Sequence, residues 1–170
     1  GIYIPRFRNI NEETKHDEFI RGYGFQGRAS RVSWGRGTSM DGFGKEFKEK
    51  LRDPGPWNFG MTAFGEILHY EDNHVTLSEE TDEWGLPQLE IHASINENEE
   101  KMREDMAETA AEMLEAAGGK NVSPYFGEYL VGEGIHEMGT ARMGRDPETS
   151  VLNAHNQTHD VPNLFVTDGA

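Results

Sequence analysis

Leu89-Glu90-Ile91-His92-Ala93-Ser94-Ile95, followed after Asn96 by the run from Glu97 to Ala117, is the stretch that decides the fold. Its first half sets Leu89, Ile91, Ala93 and Ile95 against Glu90, His92 and Ser94. A period of two marks a strand with one buried and one wet face. In the second half Met102, Met106, Ala110, Met113, Leu114 and Ala117 recur at helical spacing. That spacing predicts a helix over Glu97–Ala117 with one apolar stripe, which reads as core packing. Asn96 or Asn98 can cap its start, and three Glu precede Lys101 where the positive helix end favours them. Gly118-Gly119 ends it. A strand passing straight into an amphipathic helix, among other short strand-like runs, points to an α+β domain. The expected architecture is a mainly antiparallel sheet flanked by helices.

Upstream, Gly1 to Phe7 reads as a short strand broken at Pro5, and Phe19 to Val32 as a glycine-rich strand. Phe43, Phe47 and Leu51 lie four apart and predict a helix over Asp41–Leu51, stopped by Asp53-Pro54-Gly55-Pro56. Phe59 to Tyr70 reads as a long strand, joined through Glu71-Asp72-Asn73 to a short one over Val75–Ser78 as a hairpin. Downstream come Tyr125 to Val131, a glycine-rich polar loop through Pro147, and a terminal strand over Asn163–Thr167. The whole chain, 1–170, is expected to be a single domain, and both of its ends read as cut.

Composition narrows the function classes. Leu, Ile, Val and Phe number 33 of 170 residues, and the formal net charge is −15. That combination borders on the signature of disorder. Seventeen aromatics and seven Met argue instead for a folded domain with a lean core, one that rests a face on something else. Without Cys there is no disulfide framework, no thiolate zinc site and no thiol nucleophile. No apolar run is long enough for a membrane-spanning helix. Acidity argues against nucleic acid, whose phosphates need Lys and Arg. The charge is uneven: residues 1–54 carry 11 Lys/Arg against 8 Asp/Glu, while residues 55–170 carry 5 against 23. The composition leaves the cellular compartment open.

Most motif-like clusters fail on context. Gly22-Tyr23-Gly24-Phe25-Gln26-Gly27 matches G-x-G-x-x-G, but no buried strand precedes it and no apolar-faced helix follows, so it reads as a glycine-rich strand or bulge. His69 and His74 flank Glu71 and Asp72, and His155 and His159 stand four apart, both weak metal patterns. His136-Glu137 is no zincin motif, because residue 140 is Thr. Ser33, Ser39 and Ser123 lack the G-x-S-x-G elbow. Gly132 to Gly144 holds a single His among four Gly and two Met. One imidazole beside an apolar, glycine-lined surface suits a general base near a bulky cofactor, but from the residues alone an ordinary structured loop is the favoured reading.

A resemblance bears on that choice. His136-Glu137-Met138-Gly139-Thr140-Ala141-Arg142-Met143-Gly144 resembles the H-x-x-G-T-x-x-M-G segment of the glucose-methanol-choline (GMC) flavin oxidoreductases. Ser150-Val151-Leu152-Asn153 and the run from His159 to Gly169 resemble that family's V-V-D and V-H-G-V-x-N-L-x-V-x-D-A/G-S segments. The pattern is nearest to the gluconate-dehydrogenase and pyranose-oxidase-like branches. The resemblance implies the substrate-binding domain of a two-domain enzyme whose other domain, absent from this chain, binds FAD. It implies oxidation of a CH–OH group of an alcohol, polyol or sugar by hydride transfer to flavin. His136 would be the catalytic base; Gly139, Thr140 and Met143 would shape the flavin-facing loop; Asp168 and Gly169 would touch FAD. A second catalytic residue would lie beyond Ala170. The fragment alone would be inactive, and its uncovered face could self-associate. Asn153 stands where the family often has Asp, and Asp160 where it often has Gly. Two other classes remain: a non-catalytic acidic interaction module, and a metal enzyme using His69, His74 or the His155/His159 pair.

Overall fold

A strand of nine residues, Tyr23–Arg31, organises the first part of the molecule. In the computed structural model, which describes residues 1–125, 131, 136 and 138–169, it is the middle strand of three. We label Ile2–Ile4 β1, Tyr23–Arg31 β2 and Trp57–Gly65 β3. All pairings are antiparallel, with Ile4 opposite Phe25, Tyr23 opposite Gly65 and Arg31 opposite Trp57. The glycines of the G-x-G-x-x-G run lie in or beside β2. A Cβ on Gly24 would stand 2.8 Å from the Ile4 carbonyl oxygen, and one on Gly27 2.8 Å from that of Gly60. These glycines let neighbouring strands close in, as a glycine-rich strand requires.

Side chains alternate across β2, so Tyr23 and Phe25 share a face and are both buried. Against them packs the helix Glu97–Ala116 through Met102 and Met106, with Ala110 and Met113 partly buried beside them. Phe19 completes this core, and Met61 and Ala63 of β3 pack on it. The methionine stripe is therefore core, as its spacing predicts. The helix ends where expected: Gly118 takes φ +89°, and the Gly119 N–H donates to the Leu114 carbonyl at 2.8 Å. Asn98 is not free for capping, since its Oδ1 accepts from the Ile20 N–H at 2.8 Å.

Polar groups tie the same layer together. Arg8 grips Asp105 through Nε and Nη2, each at 2.9 Å, and the Tyr23 hydroxyl donates to the same carboxylate. Burial, reinforced by the Asp105 hydrogen bond, pushes the Tyr23 phenol up to about 12. The Asp105 hydrogen bond likewise raises the Arg8 guanidinium, against the opposing effect of burial.

Four expectations shift. The first helix (α1) is Gly44–Arg52, which makes the Glu97–Ala116 helix α2. Phe43 is extended and 92% exposed, so only Phe47 and Leu51 face inward, toward Gly37. β3 stops at Gly65, opposite Tyr23, the first residue of β2; just before it Arg21 turns the chain at φ +72°. The strand His74–Thr81 (β4) is longer than Val75–Ser78 and pairs with Pro87–His92 (β5), not with β3. The Asn73 side chain extends this ladder: Nδ2 donates to the Ser94 carbonyl and Oδ1 accepts from its N–H, both at 2.9 Å. Asn163–Thr167 forms no strand; Phe165 makes one isolated bridge, to Gln157. The expected run Tyr125–Val131 lies largely outside the described residues.

The chain divides into two compact units, Gly1–Glu66 with Glu97–Gly127, and Ile67–Asn96 with Glu128–Ala170. The architecture is α+β with antiparallel sheets. No helix among the described residues is long and apolar enough to cross a membrane.

Candidate functional site

The resemblance-marked residues lie in the second unit, on a scaffold built with few regular elements. Leu152, 1% exposed, is its pivot. It bridges to Met143 in parallel and to Thr158 in antiparallel fashion. The Gly144 N–H donates to the Leu152 carbonyl at 2.8 Å, and the Leu152 N–H to the Arg142 carbonyl at 3.1 Å. Arg142 Nε reaches on to the Thr149 carbonyl at 2.8 Å. One buried leucine and a crossing of backbone bonds thus fix both flanks of the Met143–Leu152 segment, with no sheet needed.

Asn153 and Asp160, the two departures from the family pattern, sit comfortably. Asn153 Oδ1 accepts from the His155 N–H at 2.8 Å, as an Asp carboxylate would in an Asx turn. Its Nδ2 also donates to Gln157 Oε1 at 2.9 Å, which Asp could not do. Asp160 has no positive φ, so the position does not demand glycine.

The histidines divide by role. His159 Nε2 lies 3.1 Å from Ser150 Oγ and 3.3 Å from the Gly144 carbonyl oxygen. A carbonyl only accepts and Ser150 Oγ itself donates to the Asp146 carbonyl, so Nε2 carries the hydrogen. His159 is thereby committed to holding this fold. On the β4–β5 hairpin His74 and His92 face each other across the ladder, their rings stacked at 4.7 Å. His92 escaped the sequence reading because its partnership depends on a strand register visible only once β4 is paired. Among the described residues no three His, Asp or Glu gather as a metal would require.

His136 is exposed. Two residues on, Met138 is 73% exposed, and its Cγ lies 2.9 Å from where a Gly169 Cβ would stand. Gly169 therefore lets the chain end lie against the loop that carries His136. This brings the Gly139 segment and the Asp168-Gly169 turn to one surface, which the residue types alone do not reveal. Asp168 is exposed and held by a contact within the chain. Gly139 has φ +105°, and a Cβ there would meet nothing within 4 Å. Thr140 follows at φ +63°, a left-handed conformation that is costly for a β-branched residue. The Ala141 N–H closes this turn on the Gly139 carbonyl at 2.7 Å. Met143 leaves 45% of its surface open. The result is a strained, glycine-opened turn between two exposed methionines.

A family model described as GMC oxidoreductase matches residues 69–170. The 2-methyl-1,2-propanediol dehydrogenase of Mycolicibacterium austroafricanum is 33% identical over 89% of this chain and 28% of its own length. The fructose dehydrogenase large subunit of Gluconobacter japonicus is 28% identical over 98% of this chain and 30% of its own. The gluconate 2-dehydrogenase flavoprotein of Pantoea cypripedii is 29% identical over 73% and 21%. The chain thus spans under a third of the length of each of these relatives.

Proposed function

The chain belongs to the GMC oxidoreductase family as C-terminal-domain sequence, and from that premise we propose that it is the substrate-binding part of an FAD-dependent oxidoreductase. The substrate is a CH–OH group of an alcohol, polyol or sugar, in keeping with the diol, fructose and gluconate named for its relatives. The observation that carries this reading is the approach of Met138 to Gly169, which puts the His136 loop and the Asp168-Gly169 turn on one surface.

The open, glycine-lined turn at Gly139, flanked by Met138 and Met143, fits a flat isoalloxazine ring. Gly139, Thr140, Met143, Asp168 and Gly169 would contact it. When bound, FAD supplies an acceptor for two electrons and one proton equivalent, as hydride. This chain's contribution is the other proton. His136, exposed on the loop, takes the hydroxyl proton in its neutral form while the C–H bond breaks, leaving a carbonyl product. FAD is held mainly by residues outside this chain, since the glycine run that could have cradled its phosphates is engaged in β2. The 170 residues alone are therefore expected to be inactive.

In the intact protein, His136→Ala should slow flavin reduction by about 10²-fold or more, the usual scale of a general base. Stopped-flow absorbance reads this directly. His136→Ala reducing flavin at the parent rate would remove His136 from the reaction.

A further inference from the structure

The seven methionines of the chain meet very different surroundings. Met102 and Met106 are 2% and 9% exposed, sealed in the core beneath β2. Met40, Met61 and Met113 are half-buried. Met143 is 45% exposed, with its backbone bridged to Leu152. Met138 is the most open, at 73%.

Exposed as it is, the Met138 thioether makes a close contact. A Cβ on Gly169 would stand 2.9 Å from Met138 Cγ and 3.1 Å from Sδ. The sulfur therefore lies on the Gly169 backbone with no room for one more carbon between them. The same packing recurs at Gly65, where a Cβ would stand 3.1 Å from Met102 Sδ, but there the core excludes solvent. Only at Gly169 is a sulfur both open to solvent and part of a contact between segments distant in the chain.

We propose that Met138 is an oxidation site, and that hydrogen peroxide acting on it separates the His136 loop from the Asp168-Gly169 turn. The sulfur lone pair attacks one peroxide oxygen as the O–O bond breaks. Sulfur is oxidised to the sulfoxide. The second oxygen is reduced, takes the proton of the transferred hydroxyl and leaves as water. The product is polar and larger by one oxygen. Between Met138 and Gly169 there is no room for that atom, so the side chain turns outward into water and the contact is lost. Methionine sulfoxide reductase returns the thioether, which makes the change reversible. Control of the redox site through this contact rests on the reading of the His136 loop given above; the oxidation of Met138 does not.

The intact protein is treated with hydrogen peroxide, and peptide mass spectrometry follows the gain of one oxygen at each methionine. Met138 should oxidise about tenfold or more faster than Met102 and Met106, which peroxide reaches only when the core opens. As it does, amide hydrogen exchange over residues 138–144 should quicken about tenfold. Flavin reduction should slow in step, and methionine sulfoxide reductase should reverse both changes. Met138→Leu has no sulfur at this position, so it should keep its own untreated rate of flavin reduction through the peroxide treatment. Met143→Leu retains Met138 and should lose its rate as the parent does. Oxidation of Met138 no faster than that of the core methionines, Met138 sulfoxide with unchanged exchange, or a Met138→Leu variant as peroxide-sensitive as the parent would overturn the proposal. Quickened exchange with undiminished flavin reduction would uphold it and count against the redox role of the His136 loop alone.

Discussion

Two elements of this protein carry equally clear amphipathic patterns and meet opposite fates. The stripe of α2 is buried: Met102 is 2% exposed and packs with Tyr23 and Phe25. The β4–β5 hairpin presents Val75 opposite Ile91 and Leu77 opposite Leu89, and every one of these is exposed, Leu77 and Leu89 by 67% and 68%. The expected strand over Leu89–Ile95 is borne out only as far as His92, where β5 ends; within it the alternation correctly predicts which side chains share a face, but the expected burial does not occur among the described residues. Periodicity specifies the partition of side chains between two faces. Whether a face is covered depends on a second surface, which no local pattern contains. A two-stranded ladder by itself gains little from its own contacts.

That contrast can be tested at three points. The largest effect belongs to Phe25, fully buried and in edge contact with Tyr23 at 5.4 Å. Phe25→Ala should cost about 3–5 kcal/mol of stability, measured by denaturant titration. A cost below about 1 kcal/mol would mean that this core carries no more load than the hairpin.

The next is alkaline stability. Tyr23 holds its proton up to about 12 when folded, against an ordinary phenol value of 10.0. Its raised value means the folded state binds the proton more tightly, so its contribution is complete below pH 10. It is lost as pH rises toward 12. Thermal midpoints should fall across that window in the parent and fall less in Tyr23→Phe. Identical pH profiles would show that the Tyr23–Asp105 contact adds nothing to the layer.

The smallest effect is expected on the hairpin. Leu89→Ser, at an exposed position, should change stability by no more than about 0.5 kcal/mol. A loss of about 2 kcal/mol or more in the intact protein would erase the contrast, because Leu89 would then have to be covered in solution.

Much of the fold is legible in the residues. The helix from Glu97, its methionine stripe and its Gly118 stop follow from spacing and from the one residue type that accepts a left-handed turn readily. The strand at Phe25 was legible too, and context sufficed to set aside the G-x-G-x-x-G match. Boundaries drifted where pairing decides them: β3 ends where its pairing with β2 ends, at Tyr23, and β4 takes β5 as its partner. The terminal run at Phe165 has strand-like residues but, among the described residues, makes one isolated bridge, to Gln157. At the candidate site, motif order pointed to His136, Gly139 and Gly169. It could not show that Met138 rests on Gly169, nor that His159 is taken up by Ser150.

By itself the amino-acid sequence determined the class of the fold, the faces of its helices and strands, and the family through two ordered motifs. Those are properties of local spacing and residue chemistry. Only the tertiary structure decided that the α2 face is buried while the hairpin face is bare. It alone placed Met138 against Gly169. Each depends on residues distant in the chain meeting in space, and long-range contact is what a one-dimensional pattern lacks.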